Sequence, residues 1–305
     1  MSITAAVVKD LREKTGAGMM DCKRALTETN GDVDAAIAVL REKGLAGAAK
    51  KAGRVAAEGM VGVFQEKHGE AVLLELNCET DFVAKNPAFG EIVNKIGAGL
   101  LASNLDSGDG EAAAGVAVEG GGTIADTVAA AISSIGENVS LRRFQRLRAD
   151  NGAVGAYVHG GGKIGVVVSV EGASADQSDV ARDLAMQVAA AFPRYVRREE
   201  VPQSAIDTES EIFRNQALAS GKPEAVIDRI IQGKINKFFG EICLLEQEFV
   251  KDSDLTVTKL LEKADKESGG SLTVTRFVRF QLGEGIEKKE SNLAAEVAEQ
   301  IAQGS

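Results

Sequence analysis

The sequence predicts an α+β protein built from several small units, and three observations predict it. The first fifty or so residues show only helical spacing of apolar side chains. Two later stretches, at 60–76 and 155–170, alternate apolar and polar residues across glycine-containing turns, as antiparallel hairpins do. Two long helical runs then follow each other between 204 and 238, joined only by S-G-K-P.

Thr4 predicts the cap of a first helix with Val7, Val8 and Leu11 facing inward, ended by T-G-A-G at 15–18. Asp21 is the expected cap of a second helix with Ala25 and Leu26 inside. N-G-D at 30–32 breaks the chain, and Val33 to Leu40 form a third helix closed by Gly44. Three short helices of this kind make a small bundle. Lys50, Lys51 and Arg54 read as a solvated linker.

From Met60 the spacing changes to two. Val61 and Val63, then Val72, Leu74 and Leu76, predict half-buried strands joined by K-H-G-E. Asn86-Pro87 opens a helix with proline at its first position, running through Ile92, Ile96 and Leu100. The Gly/Ala-rich, acidic segment 103–122 reads as a peripheral loop. Thr123 to Ile135 is helical and Val139 to Leu147 a strand.

A similar order recurs. Gly155–Val158 and Ile164–Val170 form a second hairpin, followed by a helix from Asp179 to Ala191, and I-G-E-N-V-S-L at 135–141 is echoed by F-G-E-I-C-L-L at 239–245. The expected fold is therefore a helical bundle, two related α+β core halves with antiparallel sheets, an inserted antiparallel helical hairpin and a C-terminal helix. The corresponding divisions are 1–54, 55–140, 141–203 with 244–284, 204–243, and 285–305. The hairpin comprises Ser204–Ala219 and Pro223–Phe238. The last strand is Thr273–Leu282, and Ala294–Ile301 is a short amphipathic helix that needs a surface to dock on.

Bulk composition narrows the function. Of 305 residues, 44% are hydrophobic and 26% charged, an ordinary globular mixture, while aromatics are only 4% with no Trp. A net charge of −10 disfavours direct nucleic-acid binding, which needs phosphates neutralised by dense Lys and Arg. Cys22, Cys78 and Cys243 lie far apart without a C-x-x-C pair, so neither a disulfide framework nor a zinc site is expected. The N-terminus lacks an apolar leader and no run approaches a membrane span. Reduced cysteines without an export signal imply a cytoplasmic protein.

Several motifs suggest chemistry. H-G-G-G-K-I-G at 159–165 matches G-x-G-x-x-G, but a strand follows where a dinucleotide site needs a helix. A hairpin turn fits those glycines better. E-G-G-G-T-I-A-D at 119–126 does precede a helix, but the V-A-V run before it is too short for a buried strand, which disfavours a phosphate site there. No nucleophile elbow and no P-loop is present. The histidines, His68 and His159, are distant from each other, which is thin material for metal or acid–base catalysis. No catalytic and no metal-binding residue is expected, and no cofactor.

Two places suggest protein contact instead. Met19 and Met20 are adjacent on a helix, so they cannot both face inward, and one should be exposed. In N-C-E-T-D-F-V-A-K at 77–85, Thr80 caps a helix whose first turn holds Asp81, Phe82 and Val83. Asp81 there complements the helix dipole. Composition alone favours a Phe82 ring folded back on the sheet. Against that, Val72, Leu74, Leu76 and Cys78 already fill the inner face.

Taken together, T-G-A-G-M-M-D-C-K-R-A-L, N-C-E-T-D-F-V-A-K, I-G-E-N, H-G-G-G-K-I-G and G-E-G-I-E-K, in that order, resemble the elongation factor Ts family along the whole chain. The resemblance implies a guanine-nucleotide exchange factor for elongation factor Tu, without covalent catalysis. It implies that the bundle is similar to ubiquitin-associated domains and meets the GTPase domain of Tu through Arg12, Met19 and Met20. It further implies that Thr80, Asp81, Phe82 and Val83 enter Tu near its magnesium site and that Ile135, Gly136 and His159 line the same surface. The hairpin would be the family's coiled coil. GDP and GTP would be met only through the partner, with no nucleic acid or membrane bound directly. Two other readings stand beside it: a nucleotide-binding enzyme using the glycine-rich loops, and a helical scaffold using the hairpin as an arm.

Overall fold

The structure is a computed structural model that describes residues 3–67, 69–172, 178–268 and 270–287. His68 and the expected terminal helix at Ala294–Ile301 lie outside the described residues.

Helix α1 (Ala5–Thr15) starts where the Thr4 hydroxyl accepts from Val7 N, buries Val8 and Leu11, and stops at Gly16, whose φ is 66°. Helix α2 (Met19–Glu28) begins two residues before the expected cap. Gly18 is its N-cap and Asp21 lies in the first turn, where it pairs with Arg24. Helix α3 (Val33–Lys51) is capped by Asp32 and does not stop at Gly44. One glycine costs a helix only about 1 kcal/mol. It faces a later helix (Ile124–Ile135), where a Cβ on Gly44 would make only an ordinary contact with the carbonyl oxygen of Ala129, at 3.7 Å. The expected linker is thus partly helical, and Lys51 Nζ donates to Ile132 O at 3.3 Å.

Strands β1 (Glu58–Lys67) and β2 (Glu70–Cys78) form the first hairpin. The short helix α4 (Asp81–Ala84) and helix α5 (Pro87–Ala102, capped by Asn86) follow. Next come β3 (Ser107–Gly108), α6 (Ile124–Ile135) and β4 (Val139–Arg148), giving a sheet of order β1-β2-β4-β3. The expected boundary at 140/141 falls inside β4, which pairs with β2 along its length. The segment 103–122 is largely loop, but it buries Ala113 and Val118 in the core and pairs with β4 through β3.

The second sheet, β5-β6-β9, contains β5 (Gly152–His159), β6 (Ile164–Glu171) and β9 (Thr273–Gln281). Between β6 and β9 run α7 (Ser178–Ala191), the hairpin α8 (Gln203–Ala219) with α9 (Glu224–Ile242), the small ribbon β7 (Glu248–Phe249) with β8 (Asp252–Thr256), and α10 (Val257–Ser268). The ribbon and α10 have no counterpart among the expected elements.

Both sheets are antiparallel, and in each the third strand returns beside the second strand of a hairpin. The echo between 135–141 and 239–245 does not mark this repeat. Gly136 ends a helix, whereas Gly240 lies inside α9.

The two sheets stack, with Val61, Ala71, Leu73, Val154, Val167 and Phe280 between them. Helices α5 and α6 cover the outer face of the first sheet, and α7 and α10 that of the second. This corrects the half-buried expectation for β2, which is buried on both faces from Ala71 to Cys78. Glu75, fully buried on β2, accepts from Arg142 at 3.1 Å and Arg143 at 2.6 Å, both next to β2 on β4, and from Gly283 N at 2.8 Å. The carboxylate therefore ties the end of the second sheet to the first.

Gly155 lies where α7 crosses β5, and a Cβ there would be 1.9 Å from Ala181 O. Backbone on both sides cannot yield, so Gly155→Ala should lower stability by on the order of 3 kcal/mol in urea denaturation. An unchanged midpoint would mean that α7 is not held this closely.

Candidate functional site

The stretch 77–85 leaves β2 and turns at once into α4. Thr80 is its N-cap, with φ −124°, and its hydroxyl accepts from Val83 N at 3.4 Å. The turn is held from outside by Glu137. One oxygen of its carboxylate accepts from Glu79 N at 3.1 Å and Thr80 N at 3.0 Å, and the other from the Thr80 hydroxyl at 2.7 Å. Glu79 reciprocates by accepting from Asn138 N at 2.6 Å, and Asn138 Nδ2 donates to Arg54 O at 2.8 Å.

Charge-assisted hydrogen bonds of this kind are about twice as strong as neutral ones. They make one unit of two motifs separated by more than fifty residues, N-C-E-T-D-F-V and I-G-E-N. Ile135 packs against the first core, and Gly136 ends α6 with φ 85°. The structure therefore brings Thr80, Asp81, Phe82, Val83, Ile135 and Gly136 together. Sequence reasoning missed Glu79, Glu137 and Asn138. The only available signal was their place inside those two motifs.

Phe82 is 83% exposed. The expectation that its ring folds back on the sheet is overturned, because Val83 and Ala84 supply the contacts to the core from this turn. Asp81 accepts from Lys85 Nζ at 2.6 Å, one helical turn on. That hydrogen bond lowers the Asp81 pKa and raises that of Lys85. The Asp81–Lys85 link is accordingly present at neutral pH and is lost as pH falls through the depressed Asp81 value.

His159 is exposed at the end of β5, and its Nδ1 lies 3.0 Å from the Tyr157 hydroxyl. The following turn is a hairpin turn, with φ of 61°, 67° and 95° at Gly160, Gly161 and Gly162. Gly162 O accepts from Val61 N at 2.8 Å. Since Glu58 pairs with Cys78, the turn meets β1 three residues from the level at which β2 ends, roughly 10 Å along the strand. Arg12, Met19 and Met20 stand apart on the bundle. Both methionines are exposed, 57% and 64%, where only one was expected to be. Gly18 starts the helix early enough to leave the pair on its first, outward-facing turn.

The glycine-rich stretch before α6 offers no vacant anion cradle. Asp126 occupies the helix start, accepting from Thr123 N at 3.0 Å and the Thr123 hydroxyl at 2.9 Å, and it also meets Arg41 at 2.6 Å. Among the described residues no cluster of three His, Cys, Asp or Glu could hold a metal ion, and no helix is long and apolar enough to cross a membrane.

These features set an exposed aromatic side chain on a helix turn held by hydrogen bonds to a second segment of the chain. A family model described as Elongation factor TS matches residues 79–284. The chain is 49% identical over 299 residues to elongation factor Ts of Clostridium perfringens strain SM101, covering 97% of this chain and 98% of that one. It is 49% identical to the protein of the same name from Clostridium botulinum strain Alaska E43, over 98% and 99% of the two chains. With that from Syntrophotalea carbinolica it shares 50% identity, again over 98% and 99%. The chain belongs to the elongation factor Ts family, whose members are translation elongation factors.

Removing the Glu137 carboxylate leaves the Glu79 and Thr80 amides without their acceptor. Glu137→Ala should cost about 1–3 kcal/mol of stability, with faster hydrogen exchange at those two amides. Protection unchanged at both would refute the bracing role.

Cys78 and Cys243 are buried, and burial first of all pushes their thiols up, to about 12 and about 11. Cys78 also donates to Thr80 O at 3.2 Å. With Cys22 buried as well, a thiol-specific reagent at pH 8 should modify none of the three until the protein unfolds. Rapid modification of one cysteine in the native protein would contradict this arrangement.

Proposed function

We propose that this chain is the guanine-nucleotide exchange factor of elongation factor Tu, working from the cytoplasm by protein contact alone. The observation that carries the reading is the Phe82 ring, almost wholly exposed on a braced helix tip. A large apolar side chain kept in water by its own hydrogen-bonded scaffold serves a partner better than it serves the fold.

GDP in a GTPase is held through its phosphates and Mg²⁺, which bridge the loops around them. A ring inserted beside that site displaces those loops and weakens the metal and phosphate contacts. Thr80 and Val83 fix the tip, Phe82 is the wedge, and Asp81 accepts hydrogen bonds that set its approach. Ile135, Gly136 and His159 extend the same surface, while Arg12, Met19 and Met20 on a ubiquitin-associated-like bundle grip the GTPase domain. The division into bundle, two core halves, hairpin and C-terminal module belongs to this reading.

By linkage, a factor that binds empty Tu more tightly than GDP-bound Tu weakens GDP binding by the same ratio. GTP then enters by mass action, and the chain itself holds no nucleotide. The occupied start of α6 and the strand after Gly162 speak against the enzyme alternative.

Stopped-flow release of a fluorescent GDP from purified Tu tests the proposal. The chain at micromolar concentration should accelerate release many-fold, and no acceleration would refute it. Phe82→Ala should lower the maximal rate by roughly 10- to 100-fold. The melting temperature should shift little, because surface substitutions usually stay within about 0.5 kcal/mol. A large loss of stability would instead return Phe82 to a structural role.

A further inference from the structure

The bundle joins the core through a short stretch that little of the chain covers. Ala52, Gly53, Arg54 and Val55 are all exposed, and a Cβ on Gly53 would meet nothing within 4 Å. An exposed linker containing glycine is flexible by itself. Here it is held by Asn138, whose side chain is buried and donates from Nδ2 to Arg54 O at 2.8 Å. Arg54 Nη1 lies 3.4 Å from Glu79 Oε1, the oxygen that also accepts from Asn138 N at 2.6 Å. Asn138 thus holds the segment leading into the 79–83 turn with its backbone, and the segment leading out of the bundle with its side chain.

The rest of the seam between bundle and core is loosely filled. Helix α3 packs along α6 and Ala48 reaches the first core. Yet a cavity of about 380 Å³ remains, walled by Ala17, Leu40 and Gly44 of the bundle and by Ala129, Ala130 and Ser133 of α6. Well-packed interiors leave few voids larger than a water molecule, so shape alone fixes the angle of the bundle weakly. What spans the seam is polar. Arg41 meets Asp126 at 2.6 Å near the start of α6, and Lys51 Nζ reaches Ile132 O at 3.3 Å near its end. The Arg41 side chain is largely exposed, and exposed ion pairs add little. The Asn138 bond is made by a buried side chain, where losing a partner matters more.

We propose that Asn138 is a positioning residue whose bond to Arg54 O fixes the angle of the bundle, so that bundle and braced turn meet the same GTPase as one preset pair of contacts. This rests on the proposed exchange function. Two contacts held at a fixed spacing bind without first losing the freedom of a hinge, so the second reinforces the first. The tether raises affinity and leaves disturbance of the nucleotide to the turn.

Asn138→Ala in the full chain removes the side-chain donor and keeps the backbone amide on Glu79. Spin labels on Lys9→Cys in α1 and Glu91→Cys in α5, both exposed while the three native cysteines are buried, report the distance between bundle and core. The otherwise native chain should give one narrow distance distribution, and the chain with Asn138→Ala a broader one. With Tu, Asn138→Ala should raise the factor concentration that half-saturates GDP release on the order of tenfold, at an unchanged maximal rate. The Glu79 and Thr80 amides should keep their protection from hydrogen exchange. A broad distribution without Asn138→Ala, or no broadening with it, overturns the tether before Tu is added. Broadening with unaltered half-saturation overturns its role in binding. A lower maximal rate with lost protection at the two amides assigns Asn138 to the turn and also overturns it. A Gly-Gly insertion between Gly53 and Arg54 frees α3 while leaving Asn138 intact, and it should reproduce both effects. Its failure to do so overturns the proposal even where Asn138→Ala does not fold. Failure of the native chain to accelerate release overturns the exchange reading and the role in binding with it, while the distance measurement still decides on the tether.

Discussion

The Glu137 carboxylate is the constraint on which the candidate site depends. It gathers two backbone amides and one hydroxyl from the turn that leads into α4, and so ties that single turn of helix to the segment after α6. An isolated turn of helix is not stable in water. With Glu137 in place, and Glu79 answering through Asn138, the backbone of the turn that carries Phe82 is held to the end of α6. Preorganisation of this kind removes an ordering cost from binding.

The second constraint is the stacking of the two sheets. It buries β2 on both faces and so fixes the strand that delivers the 79–83 turn. It also seats the β5–β6 turn against β1 through Gly162. The buried Glu75, bonded to Arg142, Arg143 and Gly283, locks the exit of β9 to the same structure. A buried carboxylate with several donors adds less net stability than apolar side chains of that volume would. What it supplies here is alignment, since two segments far apart in sequence, β4 and the exit of β9, must meet one pair of oxygens on β2.

Most of the secondary structure was legible because its signals are local. Thr4, Asn86-Pro87 and Thr123 cap helices where the sequence places them, and the glycines of 160–162 make a turn. Most of what escaped was non-local. Gly44 looks like a helix end, but α3 runs on through it to pack along α6, a neighbour the local sequence does not show. The brace that Glu137 places on Thr80, 57 positions away, is a contact that no periodicity encodes. Helix α10 was missed although its signal is local, since Val257, Leu260, Leu261 and Ala264 recur at helical spacing, whereas the two-residue β7 is too short to show a period. The family motifs contain the two segments that the structure joins, but gave no sign of the acidic residues that join them.

How the energy divides among the contacts follows from linkage on the proposed exchange reading. Burying one phenylalanine ring contributes about 1.5–3 kcal/mol, which corresponds to roughly one to two decades in an equilibrium constant. That is the most the Phe82 ring could add to the weakening of GDP by insertion alone. A contact made equally in the nucleotide-bound and empty states raises occupancy and shifts nothing. On that reading, exposed side chains far from the 79–83 turn, such as Met19 and Met20 on the bundle, would serve to hold the complex. The braced turn must carry the coupling. A site divided in this way needs one rigid element and several forgiving ones, and the distribution of hydrogen bonds in this chain is consistent with that division. The dense network surrounds Thr80, while the methionines stand on the surface of a helix end whose cap is only a glycine.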